Sequence, residues 1–291
     1  MLIKQQKGFT LIESIITIII IGIVASTVSL IIGNYLENYD ATSRRTKMQT
    51  SAQLAIERIS REVRNALPNS VCIPDDAGTN CIPTTPATPI TRTKVAFIKI
   101  IDAGYYQDTS GDYPDNTSHR VLPVSPAAAS DQFDIVSGTD LRVQVDDHVA
   151  VYNINNSSIY TGNNLSKVTS VTPMNIDGVA GDDIIRLEIN SKSFPLHSPQ
   201  RRVHIIESNT TIFYLDGTDL KLGKSANFEN VAFNPTVPAS SYLLLQNVTN
   251  LSFNFDSGGP QRAGLLHIDL TVEDQGEQIH IIHEAHVYNV P

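Results

Sequence analysis

The sequence predicts an α+β protein in which one long N-terminal helix, membrane-spanning in its first half, packs on a large antiparallel β-sheet domain. Three features predict it: an apolar run near the N-terminus, an amphipathic stripe that prolongs the run, and a remainder made of short strand-like segments. The chain has 291 residues, room for one large domain or two modest ones. With 41% hydrophobic and 18% charged residues it can bury a real core, which excludes wholesale disorder. A formal net charge of −9 and the lack of a basic cluster exclude a nucleic-acid binder, because neutralising phosphates needs a basic face.

The first element is the apolar run. From Phe9 to Ile32 the chain reads FTLIESIITIIIIGIVASTVSLII, with Glu13 as its single charge. As a helix it is about 36 Å long, enough to cross a hydrocarbon core of about 30 Å. A secretory signal would have a shorter apolar region ending at a small-residue cleavage site. Lys4 and Lys7 form a short basic flank of the kind that stays cytoplasmic, although Arg44, Arg45 and Lys47 follow on the other side. A carboxylate at the bilayer centre costs on the order of 3 kcal/mol, so Glu13 implies a partner.

The segment KGFTLIES, Lys7 to Ser14, resembles the class III signal of type IV pilins and type II secretion pseudopilins. The resemblance implies that a prepilin peptidase cuts between Gly8 and Phe9 and that the new N-terminus at Phe9 is methylated. It also implies that Glu13 pairs with the N-terminal amine of a neighbouring subunit, and that the fold is that of a type IV pilin. Elementary electrostatics points the same way. A cut after Gly8 leaves a positive amine on an apolar helix, whose most favourable partner in hydrocarbon is a carboxylate. Leaving the bilayer for a fibre then reburies the apolar surface against other helices.

Beyond the membrane the helix is expected to continue to Leu67. Met48, Ala52, Ala55, Ile56, Ile59, Val63, Ala66 and Leu67 recur with helical period along one face. Arg44, Lys47, Glu57, Arg58, Arg61 and Arg64 occupy the other, and Pro68, lacking a backbone donor, stops the helix. A helix from Phe9 to Leu67 would be near 88 Å long at 1.5 Å per residue, a shape suited to a pilin spine rather than a compact enzyme.

Cys72 and Cys81 bracket IPDDAGTN, and PTTPATP follows, so residues 68–93 read as a Cys/Pro-rich loop. In a periplasmic domain the two cysteines are expected to form a disulfide worth roughly 2–4 kcal/mol; the alternative is two free thiols. From Lys94 onward the expected strands are Val95–Ile101, Phe133–Val136, Leu141–Val145, Val149–Ile154, Ile184–Ile189, Val203–Glu207, Thr211–Leu215, Leu243–Phe255, Leu265–Val272 and Gln278–Val287. Asp216-Gly217 followed by Thr218-Asp219 reads as a hairpin turn, and Asp102–Ala129 as a long loop.

Enzymatic patterns fail. Gly217 to Gly223-Lys224-Ser225 spaces its glycines too widely for a phosphate loop, and no G-x-S-x-G, H-E-x-x-H or Cys–His pairing is present. On a strand His280, Glu284 and His286 share a face while His283 points the other way, so the imidazoles converge on a metal only with help from another element such as His267. Asp108, Asp112 and Asp115 miss the EF-hand spacing for calcium. No metal, cofactor or catalytic residue is expected.

The size and the run AIERISREVRNALPNS resemble the large minor-pilin class of PilW-type pilins and J-type pseudopilins. FPLHSPQRRVHIIES and HIIHEAHVYNVP look most like the O-type minor pilins of the mannose-sensitive haemagglutinin (MSHA) pilus. The expected organisation is a leader over 1–8, a transmembrane and assembly helix over 9–32, its amphipathic periplasmic continuation over 33–67, the loop over 68–93 and a periplasmic β-rich domain over 94–291. Expected partners are the prepilin peptidase, other major and minor pilins, the inner-membrane assembly platform and the membrane. The rival readings are a J-type pseudopilin of a type II secretion system and a membrane-anchored periplasmic binding or enzymatic domain.

Overall fold

The computed structural model describes residues 8–74, 81–82 (backbone), 92–107, 120–136, 141–154, 159–174, 184–225, 240–256 and 263–287. Helix α1, Leu11–Arg64, is unbroken over 54 residues. Its stripe docks as its period demands: Met48, Ala52, Ala55, Ile56, Ile59 and Val63 are all buried. The helix ends three residues earlier than the stripe predicts. Asn65 caps it, and the backbone of the following strand then captures the chain, with Leu67 N–H donating to Ile98 O (2.8 Å) and Ile100 N–H to Asn65 O (2.9 Å). Ala66 and Leu67 are buried in that extended exit rather than in a last helical turn.

A short hairpin follows, β1 (Ile73–Pro74) with β2 (Cys81–Ile82). The long strands are β3 (Lys94–Tyr106), β4 (Ser130–Val136), β5 (His148–Val151), β6 (Leu165–Met174), β7 (Ile184–Lys192), β8 (Arg202–Asp216), β9 (Asp219–Lys224), β10 (Ser240–Leu245), β11 (Val248–Asp256), β12 (Gly264–Asp274) and β13 (Glu277–Val287). Every pairing between these strands is antiparallel, and one isolated bridge, Val124 with Phe194, is parallel. Eight strands run in the order β10-β9-β8-β3-β4-β7-β6-β5, and β5 also pairs with β8. That extra pairing, His148 to Ile206 through Val151 to Val203, closes β8-β3-β4-β7-β6-β5 into a six-stranded ring. Phe133, Ile135, Val149, Leu187, Ile189, Val203 and Ile205 fill one core cluster of this ring. A second sheet, β11-β12-β13, lies against α1.

The helix stripe, the inward faces of β11, β12 and β13, and the β3–β8–β9 end of the large sheet share one core. Phe97 and Phe213 stack there with ring centroids 6.1 Å apart. Where the helix exits, a buried amide network ties it to the ring: Asn69 donates to Asn153 O (2.8 Å), Asn153 to Pro68 O (2.7 Å) and Asn164 to Asn153 Oδ1 (3.0 Å). In the ring wall Arg186 forks onto the buried Asp134 at 2.7 and 2.9 Å, the two residues facing each other across β4 and β7. Such a bidentate pair satisfies both charges at once.

Several expected strands differ. Leu141–Val145 is not a strand: Asp147 Oδ2 accepts from Gln144 N–H (2.8 Å) and Asp102 Oδ2 from Arg142 N–H (2.9 Å), so side chains take the donors a ladder would need. Leu243–Phe255 divides into β10 and β11 in different sheets, because Asn247 at φ 62° turns the chain between them. Val203–Glu207 and Thr211–Leu215 merge into β8. The expected loop Asp102–Ala129 begins as strand, since β3 runs on to Tyr106 by pairing with β8 as far as Arg202. The Asp216-Gly217 turn is present, with Gly217 at φ 62° and Asp216 opposite Asp219, and it leads into β9, which was not expected.

His204, buried on β8, has a folded pKa pushed down to about 4, first by burial and then by Arg202. Its ordinary value is 6.5, so between the two values the unfolded chain binds the proton and the folded chain does not. The stability due to neutral His204 is complete above pH 6.5 and is lost as pH falls through about 4. Asp147, raised mainly by burial, has the opposite sign. We expect acidification from pH 7 to 4.5 to lower stability, with His204 accounting for roughly 2–3 kcal/mol. Thermal unfolding of the detergent-solubilised chain checks this: His204→Gln should flatten the pH slope, and an unchanged slope would refute it.

Candidate functional site: the N-terminal end of the long helix

Thr10 starts α1 as its N-cap, with extended backbone at φ −87° and ψ 151°. Its hydroxyl accepts from Glu13 N–H at 3.4 Å, and its carbonyl accepts from the amides of Glu13 (3.1 Å) and Ser14 (3.2 Å). Thr10 and Glu13 therefore stand in the T-x-x-E spacing of a capping box, a signal present in KGFTLIES that reading the segment as a processing motif overlooked. Glu13 lies in the first turn, where a carboxylate complements the positive end of the helix dipole. Both Phe9, 70% exposed, and Glu13 face outward, and the carboxylate has no intramolecular partner among the described residues.

Gly8 sits just ahead in open space. A Cβ built there meets nothing within 4 Å, so the fold itself does not require glycine at this position. Lys4 and Lys7 lie outside the described residues. The apolar stretch of the helix is not covered by the rest of the described chain, so its surface is left for a bilayer or for other helices. The chain's hydroxyls fold inward along this span: Thr17 donates to Glu13 O (2.9 Å) and Thr27 to Ile23 O (2.9 Å), which hides them from hydrocarbon.

The other end of α1 is fastened by charge. Arg45 pairs with Glu277 at the β12–β13 turn, and Glu62 accepts from Lys99 (2.9 Å) and Arg58 (3.1 Å). Partial burial alone would raise the Glu62 carboxyl; Lys99 and Arg58 outweigh it and hold the group below its ordinary value. Glu62 went unnoticed in the sequence, where its only signal is the i, i+4 spacing to Arg58.

The histidines do not converge. Burial alternates along β13, placing His280, Glu284 and His286 on the outer face and His283 on the inner. His280 pairs with Asp269 (2.9 Å) and His267 with Glu284 (3.1 Å), and no group suited to a metal occurs among the described residues. Lys224 of the false phosphate loop lies on β9 and pairs with Glu207 at 2.6 Å. Asp108, Asp112 and Asp115 fall outside the described residues. The cysteines are only half placed: Cys72 is buried and bridges Ala96, while the Cys81 backbone faces Pro74 and its side chain lies outside the described residues.

Residues 3–29 match the prokaryotic N-terminal methylation motif, the signal of pilins and pseudopilins. This supports a type IV pilin-like protein, a substrate for a prepilin peptidase, anchored in a membrane by one N-terminal apolar helix with its β domain following. No curated protein and no solved structure matches the chain.

Because nothing in the fold crowds Gly8, a substitution there tests processing without disturbing structure. Gly8→Val should leave the uncut precursor in the membrane with the β domain folded, seen as a heavier intact mass beside normal protease resistance. Native protein whose N-terminus is any residue other than Phe9 would contradict cleavage at this bond.

Proposed function

We propose that the protein is a minor type IV pilin, cut between Gly8 and Phe9, methylated on Phe9, and incorporated into or priming a pilus of the MSHA type. The carrying observation is the methylation motif over residues 3–29, joined to an exposed carboxylate, Glu13, in the first turn of an uncovered apolar helix. Before assembly the precursor is a single-pass inner-membrane protein with its β domain in the periplasm. Once the cleaved helix leaves the bilayer and packs among other helices, the amine of Phe9 needs an anion where water no longer reaches it, and Glu13 of another subunit supplies one. Assembly and charge neutralisation then proceed together.

The role proposed is structural rather than catalytic. The partners are the prepilin peptidase, other major and minor pilins and the inner-membrane assembly platform. The MSHA assignment and a contribution to surface adhesion rest on the FPLHSPQRRVHIIES and HIIHEAHVYNVP segments, Phe194–Ser208 and His280–Pro291. The second reading, a J-type minor pseudopilin of a type II secretion system, is favoured by the same motif, which both families share.

Glu13→Ala should leave cleavage and membrane insertion intact and impair incorporation. Processed protein is expected at normal amounts in the inner membrane, with several-fold less crosslinking to other pilins and fewer surface pili. Assembly equal to the original would remove Glu13 from the mechanism. Cys72 and Cys81 are proposed to be joined by a disulfide, since β1 and β2 bring the two segments together. Thiol labelling of the native domain should then fail until a reductant is added, and ready labelling without one would exclude the crosslink.

A further inference from the structure

Between the apolar run and the first contact with the β domain, α1 passes through a bare neck. Residues 33–40 are all exposed, cover begins at the half-buried Ala41, Ser43 and Arg44, and the domain holds the helix at Arg45, through Glu277, and at the buried Met48. The neck nevertheless carries large side chains: Tyr35 is 69% exposed, Tyr39 62% and Leu36 55%. Tyr35 and Tyr39 are one turn apart and so share a face of the helix. An aromatic ring with a hydroxyl at its tip is matched by the boundary of a bilayer, where one end is apolar and the other hydrated.

The spacing along the helix is equally specific. From Ser14 to Asn34 no residue is charged. Glu13 and Tyr35 are 22 residues apart on one unbroken helix, about 33 Å at 1.5 Å per residue, against a hydrocarbon thickness of about 30 Å. Tyr35 and Glu13 can therefore occupy the two boundaries at once.

We propose that Tyr35 and Tyr39 form a collar that docks into the lipid headgroup layer and, with Glu13 at the opposite boundary, fixes the depth of the helix. Glu13 then waits beside headgroups and water rather than at the bilayer centre, and the Gly8–Phe9 bond, five residues further out, projects clear of the hydrocarbon. Arg45 lies about 15 Å beyond Tyr35, so the β domain stands off the membrane surface. The occupant of the neck is lipid because the neck continues the membrane span without a break and its length completes the bilayer. The proposal depends on membrane insertion and not on which pilus or secretion machine the protein serves.

The chain contains no tryptophan, so one introduced indole reports alone. Full-length Tyr35→Trp, Tyr39→Trp, Ile23→Trp and Leu54→Trp proteins are reconstituted into phosphatidylcholine vesicles carrying a nitroxide either at headgroup level or deep on the acyl chain. Indoles at 35 and 39 should be quenched at least twofold more by the shallow probe, the indole at 23 more by the deep probe, and the indole at 54 by neither. Quenching at 35 and 39 by neither probe would put the neck in water and overturn the collar, as would stronger quenching by the deep probe. No quenching at 23 either would overturn the collar and the membrane span together. Tyr35→Ala with Tyr39→Ala, added to Ile23→Trp, should lower the deep-to-shallow quenching ratio at 23; an unchanged ratio would show that the tyrosines do not set the depth.

Discussion

The packing of one helical stripe carries the rest of the molecule. Met48, Ala52, Ala55, Ile56, Ile59 and Val63 bury themselves where the three-stranded sheet meets the β3–β8–β9 end of the larger one. Because the same helix runs back without interruption to Leu11, this single apolar contact joins a domain folded in water to a segment whose solvent is lipid. Hydrophobic burial alone would allow some sliding along the stripe. The Arg45–Glu277 pair below and the Glu62 cluster with Lys99 and Arg58 above restrict the register, and the amide network around Asn153 closes the exit.

How much of this the sequence disclosed depended on whether the signal was local. The membrane run and the stripe were legible because a period of 3.6 repeats over many turns, and β12 and β13 because alternation was clean. The helix end was not, since Pro68 marks only the latest possible stop while the backbone of β3, at Ile98 and Ile100, captures the chain just after Arg64 through residues far along the sequence. β6, LSKVTSVTPM, was missed because lysine, serine and proline dilute its apolar content. The closure of the ring by four residues of β5 against β8 is a non-local pairing that composition does not encode. At the functional end, Glu13 stood out as a charge against an apolar background. Thr10 did not, because its role is exercised through the backbone.

The N-terminal end and the β domain answer to different selective pressures in physical terms. Gly8, Phe9 and Glu13 make few contacts within their own chain, so nothing in the fold accounts for their identities. Asp134, Arg186 and Asn153 are explained entirely by partners inside the fold. Such a division leaves the domain open to redesign as long as it continues to seat the stripe.

Ring closure also decides where the protein is prone to self-association. A strand with unpaired backbone groups is a template for aggregation, and closing six strands on themselves removes most such edges. Among the described long strands, β10 ends the large sheet, while β11 and β13 flank the small one. Along β13 the outward positions are His280, Glu284 and His286 with Ile282, and Glu277 is held by Arg45, so polar side chains occupy most of its outward positions. On β10, Tyr242 and Leu243 are instead 66% and 51% exposed. Purified domain stored at high concentration is therefore most vulnerable at β10, and a lysine at Leu243 is the change that would protect its solubility.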